Sequence, residues 1–288
     1  MSGMPGGFDP RLFPARPDLA AAHLKGRVAA DRFVVGTQKR VISTTTPMRR
    51  TPAHDLPVDT EVLYGERVMV YETTEEGWAW GQLELDQYVG WISASALGDP
   101  GLAPTHRVTA LRTFLFPAPD IKLPPLYALS FASRVAIVRE VVAFAVTDTG
   151  GFVPKCHLAP IDRVEPDFIA TARRFMGVPY LWGGRSSLGI DCSGLVQISL
   201  QAAGIACPRD SDMQAGFGKP VTFAGDPASL HRGDLVCWKG HIGIVAEPGR
   251  LIHGNAFHMQ VIEEPLAEAI ARINKAGLEV IAVRRLDQ

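Results

Sequence analysis

The hydrophobic pattern of this chain changes its period once, near Ile161, and that change limits the fold more than any other feature. Before it, residues 41–97 read as short alternating runs at 61–71 and 78–85, then Tyr88-Val89-Gly90-Trp91-Ile92, broken by polar turns. A second β-rich stretch ends near Pro160. Alternation buries every second side chain, which means strands, and short strands at this spacing close into a small barrel or sandwich. After Ile161, a helix opening at Glu165-Pro166 carries Phe168, Ile169, Ala172, Phe175 and Met176 at helical spacing until Gly177. A second begins at or just after Asp191-Cys192 and carries Leu195, Val196, Ser199, Leu200 and Ala203 until Gly204. Strand-like runs follow at 234–238, 241–246, 251–256 and 279–286. Helices first and an antiparallel sheet afterwards define an α+β domain.

A length of 288 residues leaves room for two or three domains at roughly 100–200 residues each. The punctuation divides the chain into a Pro-, Gly- and Ala-rich N-terminal arm (1–40) with a short helix at 18–27, a first barrel (41–99), a second (100–160) after the Asp99-Pro100-Gly101 joint, and the α+β domain (161–288). The two β stretches look like diverged copies, with Arg67-Val68-Met69-Val70 laid on Arg134-Val135-Ala136-Ile137.

Charge excludes some partners. With 29 Lys plus Arg against 30 Asp plus Glu, no global field draws in nucleic acid or an anionic membrane. The longest apolar stretches, 135–138 and 141–146, fall far short of the ~20 residues of a membrane helix. The first thirty residues lack an uninterrupted apolar segment behind a charged start, so no secretory signal is expected and a soluble, cytoplasmic protein is. The cysteines at 156, 192, 207 and 237 form no C-x-x-C pair, which argues against a disulfide framework and a thiolate zinc site. Free thiols and no metal are expected; His253 and His258 lack further ligands at workable spacing.

One of the thiols stands apart. A Gly-rich loop, Gly183-Gly184-Arg185, leads into Asp191-Cys192-Ser193-Gly194, which puts Cys192 at a helix N-terminus. Unpaired N–H groups and the macrodipole favour the thiolate there, whereas burial opposes it, so an imidazole is required to take the proton. His241 and His253 lie in strand-like runs downstream. Alternation puts His241, Gly243 and Val245 on one face. If the connecting loop is the odd-numbered 247–249, His253 opposes Gly243 and lies diagonal to His241, ~7–8 Å away at Cα. A two-residue loop would turn the histidines apart. Gly243 leaves room for the second imidazole.

These residues carry a resemblance. Tyr180-Leu181-Trp182-Gly183-Gly184, Asp191-Cys192-Ser193-Gly194-Leu195-Val196, Arg232-Gly233-Asp234-Leu235-Val236, His241-Ile242-Gly243-Ile244-Val245 and Ile252-His253-Gly254-Asn255 look like the NlpC family of cysteine peptidases over about residues 165–286. The first β stretch, with Leu63-Tyr64-Gly65-Glu66, Trp78, Trp80 and Tyr88-Val89-Gly90-Trp91, resembles the bacterial SH3-like barrels appended to cell-wall enzymes; the second is a weaker match. The resemblance implies a papain-like α+β peptidase domain behind two SH3-like barrels, with Cys192 as nucleophile, His241 as general base, His253 as the residue orienting the imidazole, and Tyr180 helping to position the site or the oxyanion. It implies no cofactor.

The segment Pro208-Arg209-Asp210-Ser211-Asp212-Met213-Gln214 has Asp210 where many relatives have Thr. With two barrels ahead of the peptidase, this is similar to the γ-D-glutamyl-L-diamino acid endopeptidases, which act on wall (murein) peptides with a free N-terminal L-Ala. That resemblance implies a recycling enzyme, with Asp210 pairing the substrate ammonium, Tyr88 of the first barrel reaching toward it, and Asp191, Ser193 and Ser211 lining the dipeptide pocket. Asp210 has a second reading as the N-cap of a short helix at 212–216. Competing readings of the chain are a papain-like amidase or acyltransferase and an inert wall-binding module.

Overall fold

The strands expected of the first half pair as two sets of small sheets, and the expected helices and sheet of the second half form around the cysteine motif. The computed structural model describes residues 8–286, and the chain divides into two compact units, Met1–Asp162 and Arg163–Gln288.

In the first unit a five-stranded sheet runs in the order Val89–Ser93, Trp78–Leu83, Arg67–Thr73, Thr37–Val41, Leu97–Gly98, beside the pair Thr45–Met48 and Thr60–Leu63. Its core gathers Val41, Met48, Val62, Val68, Leu83, Tyr88 and Ile92. The later strands form three small sheets around Val108, Leu115, Leu129, Val135 and Val153, joined by Tyr64. The helix expected at 18–27 is not formed. Leu19–Ala21 pairs in parallel with Arg32–Val34, and only Ala22–Leu24 makes a 3-10 turn. A ten-residue helix is marginal without packing, and here packing favours extension: Leu19 is buried with Trp78, Trp80, Val89 and Trp91, while Ala20, Ala21 and Leu24 form a second cluster.

In the second unit the first helix is Phe168–Arg173, starting later than Glu165-Pro166 because Asp167 caps it, accepting from Ile169 N at 2.9 Å and Ala170 N at 3.2 Å. The Cys192–Ala202 helix starts at its expected place, with Asp191 as N-cap. All its residues except Gln201 are buried, so packing rather than an amphipathic stripe holds it. A six-stranded sheet follows in the order Lys219–Pro220, Val280–Arg285, Leu235–Trp238, His241–Glu247, Arg250–Asn255, Gln260–Pro265. The last of these strands escapes the sequence reading because Glu263 and Glu264 interrupt the apolar alternation; the Leu266–Lys275 helix behind it also escapes that reading, although Leu266, Ala269, Ile270 and Ile273 recur at helical spacing.

The register between His241–Glu247 and Arg250–Asn255 decides where the histidines point. Ile244 pairs with Ile252, Val245 with Leu251 and Glu247 with Arg250, leaving Ala246 as a bulge. His253 therefore falls opposite Gly243, as an odd connection requires. The odd count arises from a two-residue turn, Pro248-Gly249, plus the bulged Ala246, in place of a three-residue loop. A Cβ on Gly243 would stand 2.8 Å from Leu251 Cδ1 and 3.2 Å from His253 Cβ. Gly243→Ala is expected to cost about 1–3 kcal/mol by overpacking and to lower turnover by displacing His253. Urea denaturation and a peptide-hydrolysis assay on the same preparation check both effects.

Candidate active site

Asp191 organises the start of the cysteine helix. Its carboxylate accepts from Gly194 N at 2.6 Å, Gly183 N at 2.9 Å and Ser193 Oγ at 3.2 Å. Arg209 closes on it with Nη2 at 2.7 Å and Nη1 at 3.1 Å, and Nη1 also meets Ser193 Oγ at 2.7 Å. Arg209 is buried, so the pair is a buried ion pair whose remaining lone pairs are all engaged. Asp191, expected in the dipeptide pocket, is thus the internal clamp of the Cys192 turn, and Ser193 Oγ belongs to the same clamp.

The following segment is drawn to the same place. Gln214 Nε2 donates to Ser193 O at 3.0 Å and Pro208 O at 2.8 Å. Asp210 and Ser211 therefore sit beside the cysteine turn, at the start of the short helix Ser211–Gln214. Asp210 is its N-cap by backbone position, yet its side chain makes no capping bond. Tyr88 lies in the core cluster of the first barrel, 2% exposed.

Two sheet strands bring the imidazoles. The Ile242 backbone N–H, one residue past His241, faces the Cys192 sulfur, and Tyr180 is near enough for its ionisation to feel both Cys192 and Asp191. His241 Nε2 lies 2.8 Å from His253 Nδ1, with ring centroids 5.0 Å apart. Trp238, opposite His241 across a two-residue turn, places its ring 5.6 Å from the His241 ring. His253 Nε2 lies 2.7 Å from Glu264 Oε1, and Arg272 holds that carboxylate from Nη1 at 2.7 Å and Nη2 at 2.6 Å. His258 is engaged with Asn255 Oδ1 through its backbone N at 2.8 Å.

Trp238 and Glu264 lie outside the residues to which the sequence motifs point. The Lys239-Gly240 turn signal ahead of His241 would have found Trp238. Glu264 had no local signal, since a charged residue in a broken alternation reads as exposed.

At the thiol, burial outweighs the helix-start setting, the opposition that makes an imidazole partner necessary. Cys192 is 6% exposed, and burial, helped by the Asp191 charge, pushes its pKa up to about 12 against the Ile242 and Ser193 N–H groups and Arg209. His241 is pushed down to about 3, by burial first and then by His253 and Arg272. Burial thus favours the uncharged form of each group, a thiol and an imidazole. Burial also lowers His253 and raises Tyr180, whose hydroxyl stays a donor. Burial would raise Glu264, but bonds from Arg272 and His253 outweigh it and hold the carboxyl at about 2.

A buried thiol at a helix start, with an imidazole pair presented by an antiparallel sheet, is the arrangement of a papain-like cysteine peptidase. Residues 177–275 match the NlpC/P60 family and residues 48–97 the bacterial dipeptidyl-peptidase Sh3 domain. The chain carries an NlpC/P60 cysteine peptidase domain behind a bacterial SH3-like domain. It is similar to the gamma-D-glutamyl-L-lysine dipeptidyl-peptidase of Bacillus subtilis (strain 168), 28% identical over 260 residues that span 80% of this chain and 82% of that protein. The protein of the same name from Bacillus cereus (strain ATCC 10987) is 31% identical over 142 residues, 46% of this chain and 41% of its own length. The crystal structure of an NlpC/P60 family protein from Bacillus cereus ATCC 10987 shares the fold, with a TM-score of 0.71 at 21% identity over 86% of this chain and 99% of its own.

Two outcomes follow from this geometry. Arg209→Met leaves the Asp191 charge buried without its cation and is expected to cost about 3–5 kcal/mol, measured by chemical denaturation. His241, His253 and Glu264 all have folded pKa values below their ordinary ones. Their contribution is complete above about 6.5, the ordinary histidine value, and is lost as pH falls, because the unfolded chain then binds more protons. The thermal midpoint should drop from pH 7 to pH 4.5, less steeply in His241→Gln; a flat profile in the native protein contradicts the assignment.

Proposed function

We propose that this chain is a cysteine endopeptidase that hydrolyses the γ-D-glutamyl–diamino acid bond of cell-wall (murein) peptides bearing a free N-terminal L-Ala, releasing L-Ala-γ-D-Glu. The observation that carries this reading is the similarity to the Bacillus subtilis gamma-D-glutamyl-L-lysine dipeptidyl-peptidase across 82% of that protein, a span that reaches beyond the peptidase domain. The Cys192, His241 and His253 grouping supplies the chemistry such a reaction needs.

In this mechanism the Cys192 sulfur attacks the isopeptide carbonyl as its proton passes to His241. Negative charge develops on the carbonyl oxygen, where backbone N–H groups at the helix start and the Tyr180 hydroxyl, kept protonated by burial, act as donors. The His241 imidazolium then gives its proton to the leaving amine of the diamino acid. A water molecule, deprotonated by His241, hydrolyses the thioester and regenerates the thiol. Proton transfer coupled to attack suits a site in which burial favours the uncharged form of both groups.

Selection of a free N-terminus is assigned to Asp210, at the rim of the cysteine turn, with Ser193 and Ser211 beside it. A carboxylate in a closing groove pairs with an α-ammonium, and it rejects an acylated nitrogen that brings no charge and more bulk. An enzyme with that preference acts on released fragments rather than on intact wall, which supports a cytoplasmic role in recycling wall peptides.

Cys192→Ala is expected to abolish release of L-Ala-γ-D-Glu from L-Ala-γ-D-Glu-diaminopimelate, read by mass spectrometry. Asp210→Ala should lose at least ~10-fold in kcat/KM on the free tripeptide, the equivalent of about 1.4 kcal/mol, while turnover of the N-acetylated form stays low. Equal turnover of free and blocked peptides by the native enzyme would overturn the specificity.

A further inference from the structure

We infer that Glu264 is a positioning residue of the reaction: through His253 it sets the tautomer of both imidazoles and leaves Nδ1 as the basic nitrogen of His241. The inference rests on the reading of Cys192 and His241 as nucleophile and base, and extends it to a side chain that touches neither the sulfur nor the substrate.

Glu264 is 8% exposed and is clamped by both terminal nitrogens of Arg272, so its carboxyl is ionised and can only accept. His253 Nε2, 2.7 Å away, must therefore carry the hydrogen. Asn255 is the competing partner: its Nδ2, a donor because Oδ1 accepts from the His258 backbone N–H, lies 3.0 Å from the same nitrogen. The ionised carboxylate, nearer at 2.7 Å and unable to donate, outweighs that neutral amide. With hydrogen on Nε2 and its pKa lowered, His253 is neutral and presents a lone pair at Nδ1. His241 Nε2, 2.8 Å from that lone pair, must donate to it. The basic lone pair of His241 is then on Nδ1, the nitrogen free to receive the thiol proton. When His241 takes that proton, its Nε2–H remains on the His253 acceptor and the positive charge faces a ring anchored to a carboxylate. No proton leaves His253, and Glu264 stays ionised throughout.

The placement of Glu264 is a consequence of register. Leu251 pairs with Glu264 and His253 with Ile262 in the antiparallel ladder, so Glu264 shares a face with His253 at the diagonal position, where long side chains meet.

The test separates a tautomer-setting role from a merely bracing one. In the native protein labelled with ¹⁵N-histidine, NMR should show His253 and His241 both protonated on Nε2; Nδ1–H on His241 overturns the inference even if no variant folds. Glu264→Gln introduces an amide that can donate to His253 Nε2, and kcat on L-Ala-γ-D-Glu-diaminopimelate should fall ~100-fold or more, by the same logic as loss of the carboxylate in a hydrolase triad, with KM nearly unchanged and the His253 tautomer reversed. Arg272→Gln breaks the same ion pair but keeps the acceptor, so kcat should fall less than about tenfold with the tautomers intact. Equal losses in the two variants, or a Glu264→Gln enzyme with native tautomers and kcat, overturns the inference. An active Cys192→Ala enzyme would instead remove the nucleophile assignment beneath it, so the two failures are distinguishable.

Discussion

The carboxylate of Asp191 is the constraint on which the site depends. A thiol at a helix start needs the first turn held rigid, and here one side chain gathers the N–H groups of Gly183 and Gly194, the Ser193 hydroxyl and the Arg209 guanidinium. The same clamp ties the Gly-rich loop before the helix to the Arg209-Asp210-Ser211 segment after it, and so aligns the candidate specificity residues with the candidate nucleophile. It carries an electrostatic cost. A negative charge beside a buried sulfur disfavours the thiolate, and burial likewise disfavours the charged form of the candidate base, His241.

The placing of that candidate base depends on a parity condition in the sheet. Side chains on a strand alternate faces, so a shift of one residue would turn His253 away from His241. The chain meets the condition with Pro248-Gly249 as a tight turn and Ala246 as a bulge, and it relieves the crowding with glycine at 243. Trp238 packs near one side of the His241 ring and His253 bonds to its Nε2. The imidazole is held by covalent geometry, packing and a hydrogen bond together, which is what a proton-transfer group needs in order to act from a fixed distance.

Much of this was legible in the residues. The change of period near Ile161, the Asp191 N-cap with Cys192 at the helix start, and the need for an odd connection between His241 and His253 are local properties, set by φ/ψ preferences and by alternation along a few residues. What misled were places where distant packing overrode local preference. The segment around Leu19 is extended because the barrel tryptophans offer it a surface. Glu264 is buried because His253 and Arg272 converge on it from another strand and a helix.

The sequence by itself determined the two kinds of domain, the order of the motifs and the identity of the thiol and imidazoles, because hydrophobic period and capping chemistry act between neighbours in the chain. Only the tertiary structure decided the protonation of those groups, the bracing of Asp191 by Arg209, and the link from Glu264 through His253 to His241. Burial and ion pairing depend on distances in space between residues that lie far apart in the chain, and no pattern of neighbours records those distances.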